Sequence, residues 1–266
     1  MPVRTVKQGT LEYLVADGLS VPHCFTTRLG GVSTGHVASM NLSIRRDADP
    51  ENVVKNFHIL ADALGCDPQK LVLTNQIHSD IVWPVTADDH RGFNTHDYPE
   101  CDALITNEPG TALCVFTADC TPVLLYDPVT GAVGAAHAGW RGTVSKIAAK
   151  TALEMVRLFG CNPEDLRAAI GPNIGFCCFE TDRDVPDAIL SAYGEAAAPF
   201  ISQRGEKYFL DLKQINAISL QEIGVNHIEL SNACTACESD RFWSHRVTRG
   251  LRGSQGAIIL CKEVQP

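Results

Sequence analysis

Cys120 and His137 are the residues to start from, because a thiol and an imidazole at the open end of one hairpin can form a nucleophile–base pair or most of a metal site. The segment TADCTPVLLYDPVTGAVGAAHAGWRGT, Thr117 to Thr143, reads as two apolar strands, Pro122 to Tyr126 and Ala132 to His137. Asp127-Pro128-Val129-Thr130-Gly131 joins them: proline after aspartate presets a turn, and the glycine closes a short loop. A turn centred near residues 128 and 129 sets Cys120 opposite His137 or one residue off. Directly opposed residues of an antiparallel pair share a face, with Cβ atoms about 5 Å apart. Gly139-Trp140-Arg141-Gly142 and then a helix follow, so a guanidinium and a helix N-terminus, whose free N–H groups attract anions, fall beside the pair.

Three constellations compete for the chemistry. His78, Cys120 and His137 offer N, S and N donors and leave one tetrahedral position open, as a catalytic zinc needs, although no short metal-binding spacing is matched. Alternatively Cys120 is a nucleophile with His137 as its base, its thiolate favoured by the helix N-terminus and Arg141. The third is Cys234-Thr235-Ala236-Cys237, a redox or structural metal pair. It has no second cysteine pair at zinc-finger spacing, and otherwise reads as a turn.

The elements around these residues follow from apolar periodicity. Leu11 to Val15, Leu71 to His78, Ile81 to Val85, Asp102 to Thr106 and Ala112 to Phe116 read as strands, and His23 opens a loop. Asp49-Pro50 opens a helix over Glu51 to Leu64, with Val53, Val54, Phe57, Leu60 and Leu64 on one stripe and Gly65 as its stop. A helix over 143–159 carries Val144, Ile147, Ala148, Thr151, Ala152, Met155, Val156 and Phe159 at helical spacing, capped by Thr143 and ended by Gly160. Beyond it, Leu166 to Ile170, Lys207 to Leu210, Val225 to Leu230 and Ala257 to Cys261 read as strands, with helices at Asp184 to Glu195 and Leu212 to Ile223. The glycine-rich stretch Gly30 to Gly35 resembles a phosphate cradle only loosely, lacking its lysine and spacing, and otherwise returns the chain. His90 and His96 fall in a polar loop over 86–100. Irregular alternation of strands and helices, with hairpins between strands, predicts mixed sheets in one α+β domain spanning 1–266.

Composition narrows the function classes. The 266 residues are 45% hydrophobic and 20% charged, enough for a sizeable core. Lysine and arginine number 22 against 31 aspartates and glutamates, a formal charge of −9. With no basic run, nucleic acid is not an expected partner. No apolar stretch is long enough for a membrane span. The opening stretch MPVRTVKQGTLEYLVAD lacks a signal-peptide apolar block, so the 11 cysteines are expected to be reduced and the compartment cytoplasmic. No sequence signature speaks to oligomeric state.

NLS at Asn41, QIHSD around His78, DALIT at Asp102, ADCTPVLLYD, AAHAGWRGT, IGPNIGFCCFE, CTAC and FWSHR together resemble the YfiH/YlmD-type family, also called the laccase-domain or polyphenol oxidase family and related to the human protein FAMIN. The match covers nearly the whole chain in order. It departs at Val247 to Ser254, where the family has Arg-Asp-Gly and Thr-Gly-Arg, and at Phe57, a packing position where arginine is common.

The resemblance implies a four-layer α/β/β/α sandwich with mixed β-sheets and a zinc held by His78, Cys120 and His137. It implies phosphorolysis of purine nucleosides (adenosine, inosine, methylthioadenosine), with adenosine deaminase activity at the same site. A bacterial branch is instead a peptidoglycan editing factor that removes serine from UDP-MurNAc precursors. Copper oxidase chemistry is the least favoured reading, because three methionines and nine histidines do not display further copper clusters. Phosphorolysis needs a polyanion site beside a Lewis acid. Arg141 and the N-terminus of the 143–159 helix are assigned the phosphate, the zinc the second role, and Asn41 a hydrogen bond to the nucleoside.

Overall fold

The apolar runs pair into two six-stranded sheets in the computed structural model, which describes residues 3–93 and 98–262. In chain order the strands of the first half are β1 (Arg4–Gln8), β2 (Leu11–Val15), β3 (His23–Thr26), β4 (Leu71–Leu73), β5 (Val82–Pro84), β6 (Ala103–Thr106) and β7 (Ala112–Thr117). Then come β8 (Thr121–Tyr126), β9 (Val133–Ala138), β10 (Arg167–Ile170), β11 (Glu180–Thr181), β12 (Ile201–Arg204), β13 (Lys207–Leu210), β14 (His227–Leu230) and β15 (Gln255–Leu260). The helices are α1 (Pro50–Leu64), α2 (Trp140–Val144), α3 (Ile147–Phe159), α4 (Asp184–Tyr193), α5 (Leu212–Gln221) and α6 (His245–Thr248).

The first sheet runs β1-β2-β3-β15-β7-β4 and the second β14-β10-β8-β9-β6-β5; a three-stranded sheet, β11-β13-β12, stands apart. Each large sheet is mixed as expected. β4 pairs parallel to β7 in the first, and β5–β6 and β10–β14 are parallel in the second.

Alternation along the strands decides the layers, since successive side chains leave opposite faces. Leu113 and Val115 of β7 join Phe25, Ala257 and Ile259 in meeting Leu104, Leu124, Val133 and Ala135 of the second sheet. Ala112 and Cys114 point the other way, with Leu71, Leu73 and Ile258, onto Val53, Phe57, Leu60 and Leu64 of α1. The outer face of the second sheet, Ile105, Val123, Leu125 and Ala136, packs on Ile147, Ala152 and Met155 of α3 and Leu220 of α5. The order is therefore helix, sheet, sheet, helix. Central strands covered on both faces must be apolar throughout, which is why β8 reads TPVLLY with all six residues buried. Phe57 serves packing, stacked on Phe93 with centroids 5.1 Å apart.

Several boundaries differ from the periodicity. The expected strand 71–78 stops at Leu73, because the chain turns aside to carry His78. His23 to Thr26 is a buried strand rather than a loop. The helix expected over 143–159 is broken into α2 and α3 by Lys146, which adopts a left-handed φ of 58°. Thr143 is not its cap. It lies buried inside α2, where its Oγ1 accepts from Asn216 Nδ2 and its carbonyl from the Tyr193 hydroxyl. The glycine-rich stretch returns the chain: Gly31 N–H donates to Ser39 Oγ, and Val32 N–H to Asn56 of α1. His90 bonds Thr111 Oγ1 at 2.7 Å, and His96 lies outside the described residues. No helix among the described residues is long and apolar enough to cross a membrane.

Candidate active site

The hairpin forms with a register two residues away from direct opposition of Cys120 and His137. Pro122, not Cys120, lies opposite His137, and Thr121 lies opposite Ala138. The reason is the turn chemistry. Asp127 Oδ1 accepts from Val129 N–H, and the Asp127 N–H donates to Ala132, so the loop centres between Val129 and Thr130. Shifting the centre by one residue moves the pairing by two and leaves Cys120 two positions beyond His137's partner. Parity keeps it on the same face, as a diagonal neighbour still within reach.

His78 reaches the pair from the loop after β4, at a φ of 59°. One donor atom each from His78, Cys120 and His137 lies within 4.8 Å of the others, and the two rings sit edge to face with centroids 4.9 Å apart. Gly139 gives them room. A Cβ there would stand 3.3 Å from both Cys120 Sγ and His78 Cδ2.

The residue that assembles the three is Asp102, fully buried at the start of β6. Its Oδ1 accepts from His78 N–H (3.1 Å) and faces His137 Nδ1 at 2.8 Å. Its Oδ2 accepts from Ile77 N–H, Ser79 N–H and the Ser79 hydroxyl at 3.2, 2.6 and 2.7 Å. One carboxylate thus folds the His78 loop and orients His137. A carboxylate only accepts, so the imidazole carries its proton on Nδ1 and leaves Nε2 for a metal. Burial works to raise the Asp102 carboxyl, but the hydrogen bonds from His137 and Ser79 outweigh it and hold it down at about 2. Burial also raises the Cys120 thiol, yet His137 and His78 bring it down to about 6. His137 moves the opposite way, since Cys120 and Asp102 overcome burial and favour the imidazolium. Sulfur and nitrogen lone pairs, gathered beside a buried anion, fit a divalent cation. Asp102 was present in the DALIT motif without an assigned role; the available signal was an acid placed at the mouth of a wholly apolar strand.

The three donors open into a cavity of about 500 Å³. Its walls include Leu42, Leu73, Tyr98, Phe116, Ile174 and Phe179, with Arg45, His245, Arg246 and Arg252 as its basic side. Arg252 Nη1 donates to the Gly253 carbonyl and Ser254 Oγ, while its Nε is buried without a hydrogen-bond partner among the described residues. Burial and the neighbouring Arg46 both work against the charge on Arg252. Asp119, beside Cys120, anchors the segment that carries His245 and Arg246 by accepting from Thr235 Oγ1, Ser244 Oγ and Arg246 N–H.

Two expected site residues lie elsewhere. Arg141 is exposed, stacks over the Trp140 ring at 4.2 Å, and does not line the cavity. α2 buries Gly142 and Thr143, which turns Arg141 to the opposite side. The N-terminus near the donors belongs to a five-residue helix, not to the long one. Asn41 is fully buried, and its amide is saturated. Nδ2 donates to the Ser43 carbonyl and Asp47, and Oδ1 accepts from Ser43 N–H and Ser254 N–H. It holds two cavity-lining segments together and has no capacity left for a ligand.

Known proteins are similar to this one over nearly the whole chain. The purine nucleoside phosphorylase of Deinococcus radiodurans is 40% identical over 249 residues, covering 94% of this chain and 92% of its own. The purine nucleoside phosphorylase YlmD of Bacillus subtilis is 36% identical over 245 residues, covering 90% and 88%. The crystal structure of the Bacillus licheniformis hypothetical protein YfiH superposes with a TM-score of 0.91 at 34% identity, over 98% of this chain and 99% of that one. The family described as multi-copper polyphenol oxidoreductase laccase matches residues 22–262, a span that contains all three donors, Asp102 and the cavity. By sequence and by fold, the chain belongs to this laccase-domain family of YfiH- and YlmD-type proteins.

Proposed function

We propose that the chain is a zinc-dependent purine nucleoside phosphorylase, with adenosine deamination at the same centre. The observation that carries the reading is the cavity itself: an N, S, N donor set at one end, apolar and aromatic walls, and a half-buried arginine whose Nε is buried without a partner among the described residues. About 500 Å³ is within the range of small-molecule sites. The flat purine suits Phe116, Phe179 and Tyr98, and phosphate suits Arg252. The names of the matched relatives support the same substrates.

His78, Cys120 and His137 would hold the metal, and zinc there would supply Lewis-acid stabilisation of negative charge. Among the described residues the remaining histidines form no further ligand group, which favours a redox-inert ion at this centre over multi-copper oxidation. Asp102 fixes the His137 tautomer and the His78 loop. Arg252, with Arg45 and Arg246 nearby, would orient phosphate so that an oxygen forms its bond to C1′ as the bond to the purine nitrogen breaks. The departing electron pair stays on the base, and the apolar walls disfavour attack by water at C1′ in place of phosphate.

Purified protein incubated with adenosine, with and without phosphate, tests this. Adenine and ribose 1-phosphate should appear only with phosphate, and inosine in either case. Release of neither base nor inosine from adenosine, inosine or methylthioadenosine would overturn the proposal.

A further inference from the structure

Behind the cavity wall, four sulfurs meet that the hairpin chemistry does not use. Cys177 and Cys178 lie in the turn before β11, and Cys234 and Cys237 in the turns between β14 and α6. Taken alone, the CTAC pair had no partner at zinc-finger spacing; the fold supplies one from 57 residues upstream of Cys234. All four Sγ atoms lie within 4.8 Å of one another, with Cys177–Cys237 at 3.5 Å and Cys178–Cys237 at 3.4 Å.

We propose that Cys177, Cys178, Cys234 and Cys237 form a second, closed metal site that binds zinc as a tetrathiolate and ties the two loops together. A tetrahedron with Zn–S bonds of about 2.3 Å has S···S edges of about 3.8 Å; the two shortest contacts, 3.5 and 3.4 Å, fall a few tenths of an ångström short of it, and all four sulfurs lie within 4.8 Å of one another. A disulfide needs about 2.05 Å, and all four cysteines are free. Core packing does not account for them either. Cys24 and Cys114 are fully buried small hydrophobes, whereas Cys177 and Cys237 are exposed.

The surroundings are those of a thiolate site. Gly175 N–H donates to Cys234 Sγ at 3.1 Å, the kind of amide contact that orients a sulfur ligand. A side chain at Gly175 would crowd the cluster, its Cβ standing 3.1 Å from Cys234 Cβ and 3.4 Å from Cys177 Sγ. Four thiolates on one Zn²⁺ leave two net negative charges, and two cations stand beside them. Buried Lys213 donates to the Ala233 carbonyl, and Arg246 donates to the carbonyls of Cys178 and Glu180. The site would also brace function, because Phe179 and Arg246 line the cavity and Thr235, within the CTAC turn, bonds Asp119.

The test is metal counting by elemental analysis on full-length protein produced with zinc. Wild type should carry two equivalents per chain. The double variant His78→Ala/Cys120→Ser should keep one, and Cys177→Ser/Cys237→Ser should lose one. Cobalt(II) added to the stripped His78→Ala/Cys120→Ser protein should give intense thiolate-to-cobalt charge-transfer bands and tetrahedral d–d bands. No zinc in His78→Ala/Cys120→Ser together with no such bands would overturn the proposal, as would a disulfide among the four in native protein. That variant and the wild type decide the matter even if Cys177→Ser/Cys237→Ser does not fold, and neither readout depends on catalysis.

Discussion

Asp102 shows how much one side chain can carry. It takes hydrogen bonds from the 77–79 loop and from His137 of β9, and each is charge-assisted, so no neutral residue replaces it. Asp102→Asn would turn N–H groups toward N–H groups. Metal affinity should fall about 10–100-fold, as for other residues that orient a ligand, with a stability loss of about 1.5–3 kcal/mol. Competition against a chromophoric chelator and a denaturant melt read the two effects; unchanged affinity would mean that His137 is oriented by something else. Arg252 and Arg141 make a paired test. If Arg252 holds phosphate, Arg252→Lys loses a guanidinium hydrogen bond worth about 1.5–3 kcal/mol and raises the phosphate requirement on the order of 10–150-fold. Arg141→Lys should leave it unchanged, since Arg141 faces solvent over Trp140. Phosphate titrations of adenine release compare them, and the reverse ranking would restore the anion role to Arg141. Cys120 and His137 were legible as a pair from residue type and hairpin folding, which says nothing of His78, whereas Asp102, Arg252 and the saturation of Asn41 were not. Their roles depend on partners far along the chain, which no local spacing encodes.

Among the elements, the break between α2 and α3 is the instructive departure. Apolar periodicity runs through residues 144–159 without a fault, and only the left-handed Lys146 interrupts it. That conformation costs an L-residue about 1–2 kcal/mol, which Lys146 offsets in part through Glu222 and the Tyr193 ring. Partly exposed pairs of this sort contribute little. Lys146→Gly should therefore be neutral or stabilising by up to about 1 kcal/mol, where glycine inside an unbroken helix would cost about 1 kcal/mol. Thermal unfolding distinguishes the signs. Helix ends with side-chain or glycine signals were readable in advance: Asp49 caps α1, and Gly65 and Gly160 stop α1 and α3 in the left-handed region. A break enforced by Tyr193 and Asn216 gripping Thr143 from other elements has no such local signal.

At the scale of the whole molecule, the face-to-face sheets concentrate stability in the layer between them. Leu124 lies there, fully buried among side chains of both sheets. Leu124→Ala should cost about 2–5 kcal/mol, read from denaturant unfolding, and a smaller loss would mean that the layer closes around the gap. Mixed sheets were predictable because hairpins and helical connections alternate in the sequence. Strand order was not, and β15 is the clearest case. The last strand of the first sheet in sequence lies inside it, pairing with β3 on one side and β7 on the other. During synthesis, β3 and β7 must therefore wait, with edges unpaired, until residues 255–260 have been made. Leu42 and Phe116 on the cavity wall wait with them, because Leu42 N–H bonds Ser254 and Phe116 lies opposite Gly256. Pairings that distant in sequence close slowly, so the nascent chain carries two open sheet edges through most of its translation. The cavity then takes shape only as the final strand is laid into the gap.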